Sequence, residues 1–206
     1  MPIFGFDHNR FKRGEITKAN IVTAGGPCTG KSTLAAALFA RLKIDGYDYD
    51  LITEESRHLR KEFGHPRSPF ERLYLWRQQE REELRSSAAN GFVSDTALFQ
   101  YYVHARLYAS EARDNLAVRE LFRMCLEIED RYQLVVVAQD PCEIPYKKDQ
   151  SRSLDEGVAR ERHRMTVSFV EHFWPKKLLS VHGTIEERVS QVLKRMDLMR
   201  REQESK

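Results

Sequence analysis

The segment from Gly25 to Ser32, with the sequence GGPCTGKS, restricts the fold of this chain more than any other feature. It matches the pattern G-x-x-x-x-G-K-[ST], it follows a short apolar run, and it precedes a stretch with helical spacing of its leucines. That order allows backbone N–H groups and a helix N-terminus to converge on one anion. The sequence therefore predicts a strand, a phosphate-binding loop and a helix in immediate succession.

The loop residues have predicted roles in holding a nucleoside triphosphate. Lys31 would place positive charge at the β- and γ-phosphates, and the Ser32 hydroxyl would ligate Mg²⁺. Cys28 is interpreted as a small spacer rather than a reactive thiol, because nothing near it in sequence beyond Lys31 would activate it. The predicted nucleotide-binding residues of the loop are Gly25, Gly26, Pro27, Cys28, Thr29, Gly30, Lys31, Ser32 and Thr33.

Strand and helix patterns alternate along the chain. The Leu134–Ala138 segment is apolar throughout and rich in valine, which is typical of a parallel strand covered on both faces. The pattern predicts an α/β fold, a three-layer sandwich with a five-stranded, mainly parallel sheet and a lid segment, as in P-loop NTPases. The predicted strands are Ala19–Ala24, Asp48–Thr53, Phe92–Ser94, Leu134–Ala138 and Lys177–His182.

Helices are predicted between these strands. One follows the loop as Lys31–Lys43, and a long charged one covers Pro69–Ala89. Helical sequence after Asp95 is expected to break near Ser110 and to resume from Leu116 to Tyr132. The spacing of Thr184 and Glu187 predicts a capping box that starts a last helix ending near Arg200.

Length and composition favour one domain. The chain has 206 residues, and 41% hydrophobic residues suffice for a core, which excludes wholesale disorder. We expect an N-terminal extension at 1–18, a single P-loop domain at 19–200 with a lid at about 140–164, and a C-terminal tail at 201–206.

Charge, hydrophobicity and cysteine content limit the kinds of partner and metal site that this chain is expected to have. A formal net charge of +3 argues against a dedicated nucleic-acid binder, although nucleic acid stays open as a less favoured partner. No run approaches the ~18 apolar residues of a membrane span, so we expect a cytoplasmic protein without a membrane partner. Cys28, Cys125 and Cys142 lack C-x-x-C spacing, which favours reduced thiols over a zinc site. The oligomeric state is not determined by the sequence.

Acidic residues follow three of the predicted strands. Because ligands bind at the carboxyl ends of parallel strands, Glu54 or Glu55 would accept the proton of an acceptor hydroxyl. Asp95 would help hold Mg²⁺, and Asp140 is a competing magnesium carboxylate. The alternatives are ordinary ones, since acidic residues also suit the starts and N-caps of helices.

The segment from Asp140 to Arg164 carries many cations and is interpreted as a lid. Arg152 is the strongest candidate to stabilise charge on a phosphoryl group, with Arg160 and Arg164 as nucleotide-binding residues. Lys147 and Lys148 are further candidates. Exposed ion pairing with neighbouring acidic residues is the alternative for the helical arginines.

Other sequence features separate the classes of protein that carry such a loop. No N-K-x-D segment is present to recognise guanine, although preference for ATP over GTP is not determined by this. The chain is short for an AAA-type ATPase module with its additional helical domain. A small kinase fits best, with ATP and Mg²⁺ as cofactors.

These segments together resemble the nicotinamide riboside kinase domain of NadR-type proteins and the related AAA-like ATP-binding kinase family. The likeness covers residues 19–195, and it implies that Glu54, Arg57 and Asp149 contact the acceptor. The departures are Ala97, Tyr146 and Gln150, which replace an acidic residue, a tryptophan and a lid glycine. The segments that carry the resemblance, besides the loop, are TEESR at 53–57, FVSDT at 92–96, PYKKDQSR at 145–152 and Glu187-Arg188.

The resemblance implies ATP-dependent phosphorylation of a nucleoside-like hydroxyl, with nicotinamide riboside or a deoxynucleoside as acceptor. A second hypothesis keeps the reaction but changes the acceptor to a nucleotide or to a modified base or end in DNA. It is based on the basic residues at 10, 12, 13 and 18 together with the lid cations. A third hypothesis is a regulatory ATPase switch, which ranks lower because a switch needs no acceptor-side base.

Overall fold

The computed structural model describes residues 18–54, 68–138 and 155–205. Its sheet has five strands, all parallel, in the order β2-β3-β1-β4-β5. The central β1 therefore ends between two neighbours, and the loop that follows it emerges in the middle of the sheet. The strands are β1 (Ile21–Ala24), β2 (Tyr49–Ile52), β3 (Gly91–Ser94), β4 (Leu134–Ala138) and β5 (Leu178–Val181).

Six α-helices lie in the described residues, with two short 3-10 turns at Glu129–Arg131 and Pro175–Lys177. No helix in the described ranges is long and apolar enough to cross a membrane. The helices are α1 (Lys31–Ile44), α2 (Pro69–Arg85), α3 (Phe99–Tyr108), α4 (Asp114–Glu127), α5 (Glu156–Phe173) and α6 (Ile185–Glu204).

Alternate residues of the strands enter two separate apolar clusters, one on each face of the sheet. Ile21 packs with residues of α1 and α6, whereas Val22 packs with residues of α2 to α5. In β4, Val136 belongs to the first cluster and Val135 to the second. Because both faces are covered by helices, the predicted three-layer α/β sandwich with a five-stranded parallel sheet is confirmed.

The predicted boundaries of all five strands hold to within two residues, but the helix predicted at 69–89 is wrong at its end. It stops at Arg85, and Gly91 already starts β3 with a φ of 108°. The cause is Asp50 of β2, whose carboxylate accepts from the Ser86 hydroxyl at 2.8 Å and from the Ala88 N–H at 3.3 Å. These bonds draw the chain off the helix and toward the sheet edge.

Local hydrogen bonds explain two other boundaries. The predicted break near Ser110 is confirmed, because the Asp114 carboxylate accepts from the N–H groups of Ser110 and Glu111 and so holds the turn between α3 and α4. The predicted capping box is also confirmed. The Thr184 N–H donates to Glu187 at 2.7 Å, and the Glu187 N–H donates to the Thr184 hydroxyl at 3.3 Å.

A carboxyl group, Glu83, lies deep between α2 and the sheet. It accepts from the Tyr132 hydroxyl at 2.9 Å, and that hydroxyl accepts from the Leu98 N–H at 3.1 Å. The Arg131 guanidinium lies 3.5 Å away. Burial outweighs these contacts and raises the pKa of Glu83 to about 8.

Replacing Glu83 by Gln should change how stability depends on pH. Between the ordinary pKa of 4.5 and about 8, the folded protein holds a proton that the unfolded chain has released. The free energy of unfolding of the wild type should therefore fall as pH rises through this window, by at most about 5 kcal/mol. Glu83→Gln should lack this fall in urea unfolding between pH 5 and 9. Glu82→Gln, at a half-buried position on the same helix, should follow the wild type, and equal slopes in all three proteins would contradict the assignment.

Candidate active site

The loop between β1 and α1 has the backbone conformation of an anion cradle. Three of its residues have positive φ, namely Gly25 at 131°, Cys28 at 64° and Gly30 at 79°. The first intrahelical bond of α1 runs from the Leu34 N–H to the Gly30 carbonyl, and the first turn carries no acidic residue. The N-terminus of α1 is thus available to a negatively charged group. Cys28, which is predicted to be a spacer, is half-buried and has a left-handed backbone conformation.

The Gly26 carbonyl organises the polar side chains of the loop. It accepts from the Lys31 ammonium at 2.7 Å and from the Thr29 hydroxyl at 2.9 Å. The lysine side chain consequently folds back over the loop instead of extending into solvent. Its charge is thereby held where the helix N-terminus already favours an anion.

Ser32 and Asp95 meet at the end of the loop. The Ser32 hydroxyl donates to the Asp95 carboxylate at 2.9 Å. Asp95 follows β3 and is buried, and its own N–H donates to the Ile52 carbonyl of β2 at 2.9 Å. Two oxygen atoms that can ligate a metal ion, one from a hydroxyl and one from a carboxylate, thus lie together beside the phosphate loop. This pair fits Mg²⁺, which takes one or two carboxylates and completes its shell with phosphates and water.

Glu54 lies at the same edge of the sheet as Asp95. It follows β2 by two residues and is half-buried, and Ile52 of β2 pairs with Ser94 of β3. The sheet therefore places Glu54 near Asp95 at the carboxyl ends of the strands. The catalytic role of Glu54 stays a prediction. Several other predicted residues lie outside the described ranges, namely Glu55, Arg57, Asp140, Lys147, Lys148, Asp149 and Arg152.

The structure places the two predicted arginines of α5 in ion pairs with their own helix. Arg160 contacts Glu156 at 2.7 Å, and Arg164 contacts Glu161 at 2.6 Å. The Arg164 side chain is 75% exposed. Exposed pairs of this kind contribute little stability. A role of these arginines toward phosphate stays a prediction, as does that of Thr33, which is exposed on α1.

Three buried side chains that the loop motif did not indicate also bind the loop backbone. Gln100 of α3 donates to the Gly25 carbonyl at 2.8 Å. Nδ1 of His163 in α5 accepts from the Gly26 N–H at 3.2 Å. Arg188 of α6 donates to the Thr29 carbonyl at 3.1 Å. Side chains from three helices thus hold the loop in place. Of these three residues, the family resemblance had singled out Arg188 alone, through the Glu187-Arg188 pair.

Helix α5 packs directly against Gly26. A Cβ atom at that position would lie 2.7 Å from the Ala159 carbonyl oxygen and 2.9 Å from the His163 Cβ. Neither atom can move without shifting the helix, because one belongs to its backbone and the other is attached to it. The glycine at position 26, which is the first variable position of the motif, is therefore required by packing.

Gly26→Ala should separate α5 from the loop and weaken nucleotide binding by ~10-fold or more, with a loss of about 1–3 kcal/mol in stability from overpacking. Equilibrium titration with Mg-ATP and thermal unfolding measure the two effects. Gly157→Ala is the matched control, because a Cβ there meets only the Asp155 side chain, at 3.0 Å. Equal affinity of Gly26→Ala and wild type would contradict the packing argument.

A family model described as an AAA domain, AAA_28, matches residues 20–188. The chain belongs to this AAA domain family. The match begins just before β1 and ends at Arg188, so it includes the phosphate loop, Asp95, helices α3 and α5, and the first turn of α6. A comparison with curated protein sequences found no match.

Solved structures with the same fold include two kinds of protein. A NadR protein in complex with NR aligns with a TM-score of 0.65 and 17% identity over 86% of this AAA-family chain and 51% of that one. A NadR complex with NAD and AMP-PNP gives 0.62 and 19%, over 86% and 49%. Deoxyadenosine kinase from M. mycoides with dCMP and dCDP gives 0.60 and 11%, over 87% and 99%. The chain spans about half the length of the NadR chains, and the likeness shows a shared P-loop fold.

Proposed function

We propose that this protein transfers the γ-phosphate of ATP to a hydroxyl group of a nucleoside-like small molecule. The observation that carries the proposal is the contact of Ser32 with Asp95 at the end of a glycine-rich loop whose Gly26 carbonyl holds the Lys31 ammonium. Phosphoryl transfer depends mainly on positioning and on neutralising charge. Lys31 would neutralise phosphate charge, and Ser32 and Asp95 would position the metal ion that accompanies the phosphates.

Each donor-side residue has a role that follows from its position. Lys31 exchanges the Gly26 carbonyl for the β- and γ-phosphate oxygens, and the N-terminus of α1 binds the β-phosphate. Ser32 and Asp95 would hold Mg²⁺, which neutralises phosphate charge when bound. The AMP-PNP in a NadR structure supports ATP as the donor.

Glu54 is the proposed acceptor-side residue. Its carboxylate lies beyond β2 at the edge of the sheet that carries Asp95, where it would accept the proton of the attacking hydroxyl. The NR bound to a NadR protein and the dCMP bound to deoxyadenosine kinase support an acceptor with a sugar and a base. Nicotinamide riboside and deoxynucleosides are the proposed acceptors, with Arg57 and Asp149 as further binding residues and Arg152 as a cation over the transferred group.

A panel of acceptors tests the reaction directly. Phosphorus NMR of the protein with Mg-ATP and nicotinamide riboside or a deoxynucleoside should show a new phosphomonoester. The same panel should contain deoxynucleotides and a DNA oligomer. Lys31→Ala should lower the rate ~100-fold or more, because charge stabilisation at the transferring phosphoryl group is lost.

Lys43→Ala is the matched control, since Lys43 lies on the same helix but pairs with exposed Asp48. It should react like the wild type. A product formed only with a nucleotide or with DNA would replace the proposed acceptor. Release of free phosphate at a rate that no acceptor changes would overturn the kinase and favour a regulatory ATPase switch.

Substitution of the two candidate magnesium carboxylates separates their roles. Asp95→Asn keeps an acceptor for the Ser32 hydroxyl but removes the negative charge, so the Mg²⁺ concentration needed for half-maximal activity should rise about 10–100-fold. Asp140→Asn should raise it much less. The measurement is a Mg²⁺ titration of activity at saturating ATP. The reverse ranking of the two variants would assign the metal to Asp140.

A further inference from the structure

A peptide group between two glycines is held at both of its polar atoms by side chains from different helices. Its carbonyl belongs to Gly25 and accepts from Gln100, and its N–H belongs to Gly26 and donates to His163. We propose that Gln100 and His163 are positioning residues that fix this peptide for nucleotide binding. The proposal rests on the nucleotide-binding part of the proposed function, and it is independent of the acceptor.

The orientation of the Gln100 amide follows from its other contacts. Its oxygen accepts from the Thr96 hydroxyl at 3.0 Å and from the Ala97 N–H at 3.3 Å, which leaves the nitrogen to donate to Gly25. The side chain is 1% exposed. Thr96 directly follows Asp95, so one amide joins the loop to the turn that carries the predicted magnesium carboxylate.

The role of His163 follows from the atom that it uses. Nδ1 accepts a hydrogen bond, so the proton of the neutral imidazole is on Nε2. The residue is 8% exposed, and a Cβ atom at Gly25 would lie 3.1 Å from its Nδ1. A buried N–H without an acceptor is costly, so loss of Nδ1 would favour rotation of the peptide.

Rotation of this peptide would displace the lysine. Two consecutive glycines lack the Cβ atoms that restrict other residues, and Gly25 already has a φ of 131°. The adjoining Gly26 carbonyl receives both Lys31 and Thr29. Gln100 and His163 therefore compensate for the conformational freedom that the glycines introduce.

The test compares hydrogen-bonding and non-bonding side chains at both positions by equilibrium titration of Mg-AMP-PNP. His163→Leu and Gln100→Leu should each weaken binding ~10-fold, because a buried backbone group loses its partner. His163→Asn offers an acceptor oxygen near the position of Nδ1 and should recover most of the affinity. His172→Leu, exposed on the same helix, should bind like the wild type.

Thermal unfolding of the same proteins separates positioning from simple loss of stability. The proposal requires that His163→Asn binds Mg-AMP-PNP more tightly than His163→Leu does. It also requires that a difference in melting temperature between the two variants does not account for this difference in affinity. Equal affinities of these two variants, or wild-type affinity in both leucine variants, would overturn it. A wild type that binds nucleotide but phosphorylates no acceptor would refute the kinase while leaving the positioning role intact. A wild type that binds no nucleotide would refute both.

Discussion

The close approach of helix α5 to the glycine-rich loop is the constraint on which the rest of the site depends. The backbone of α5 passes so near to Gly26 that no side chain fits between them. The same turn of helix places His163 against the Gly26 N–H. Because these contacts fix the backbone of the loop, the Gly26 carbonyl faces Lys31 and Thr29. A packing contact between backbones thus determines where the positive charge of the site resides.

Several buried polar side chains of the described residues lie at the edge of the sheet where its strands end. The strands contribute mainly aliphatic and aromatic residues to two cores, whereas the segments after β1 and β3 carry buried hydrogen-bonding side chains. Buried polar groups must be paired to be tolerated, and here they pair with one another and with the loop backbone. Thr96 and Gln100 provide such pairs, as do Gln79 and Ser94, 3.3 Å apart. The described part of this edge is therefore held in place by hydrogen bonds within the protein.

The sequence was sufficient to predict the parts that depend on local or periodic patterns. The five strands, the loop and the Thr184–Glu187 capping box follow from apolar runs, glycines and fixed spacings. The end of α2 could not be predicted in this way, because it depends on a hydrogen bond to Asp50, which lies on a separate strand. Gln100 and His163 also went unrecognised, since each is one polar residue within a helix and nothing nearby in sequence shows that it faces the loop. Their roles depend on the tertiary arrangement of α3 and α5.

The contacts that hold the loop span much of the chain. Ser32 and Asp95 are 63 residues apart, Gly26 and His163 are 137 apart, and Thr29 and Arg188 are 159 apart. Contacts of such high sequence separation form only as the overall topology is established during folding. A partly folded chain therefore has the motif but not the binding site. Any phosphate ligand would bind the native state alone and raise the stability of the entire fold, so that its affinity reports on the integrity of helices far from it in sequence.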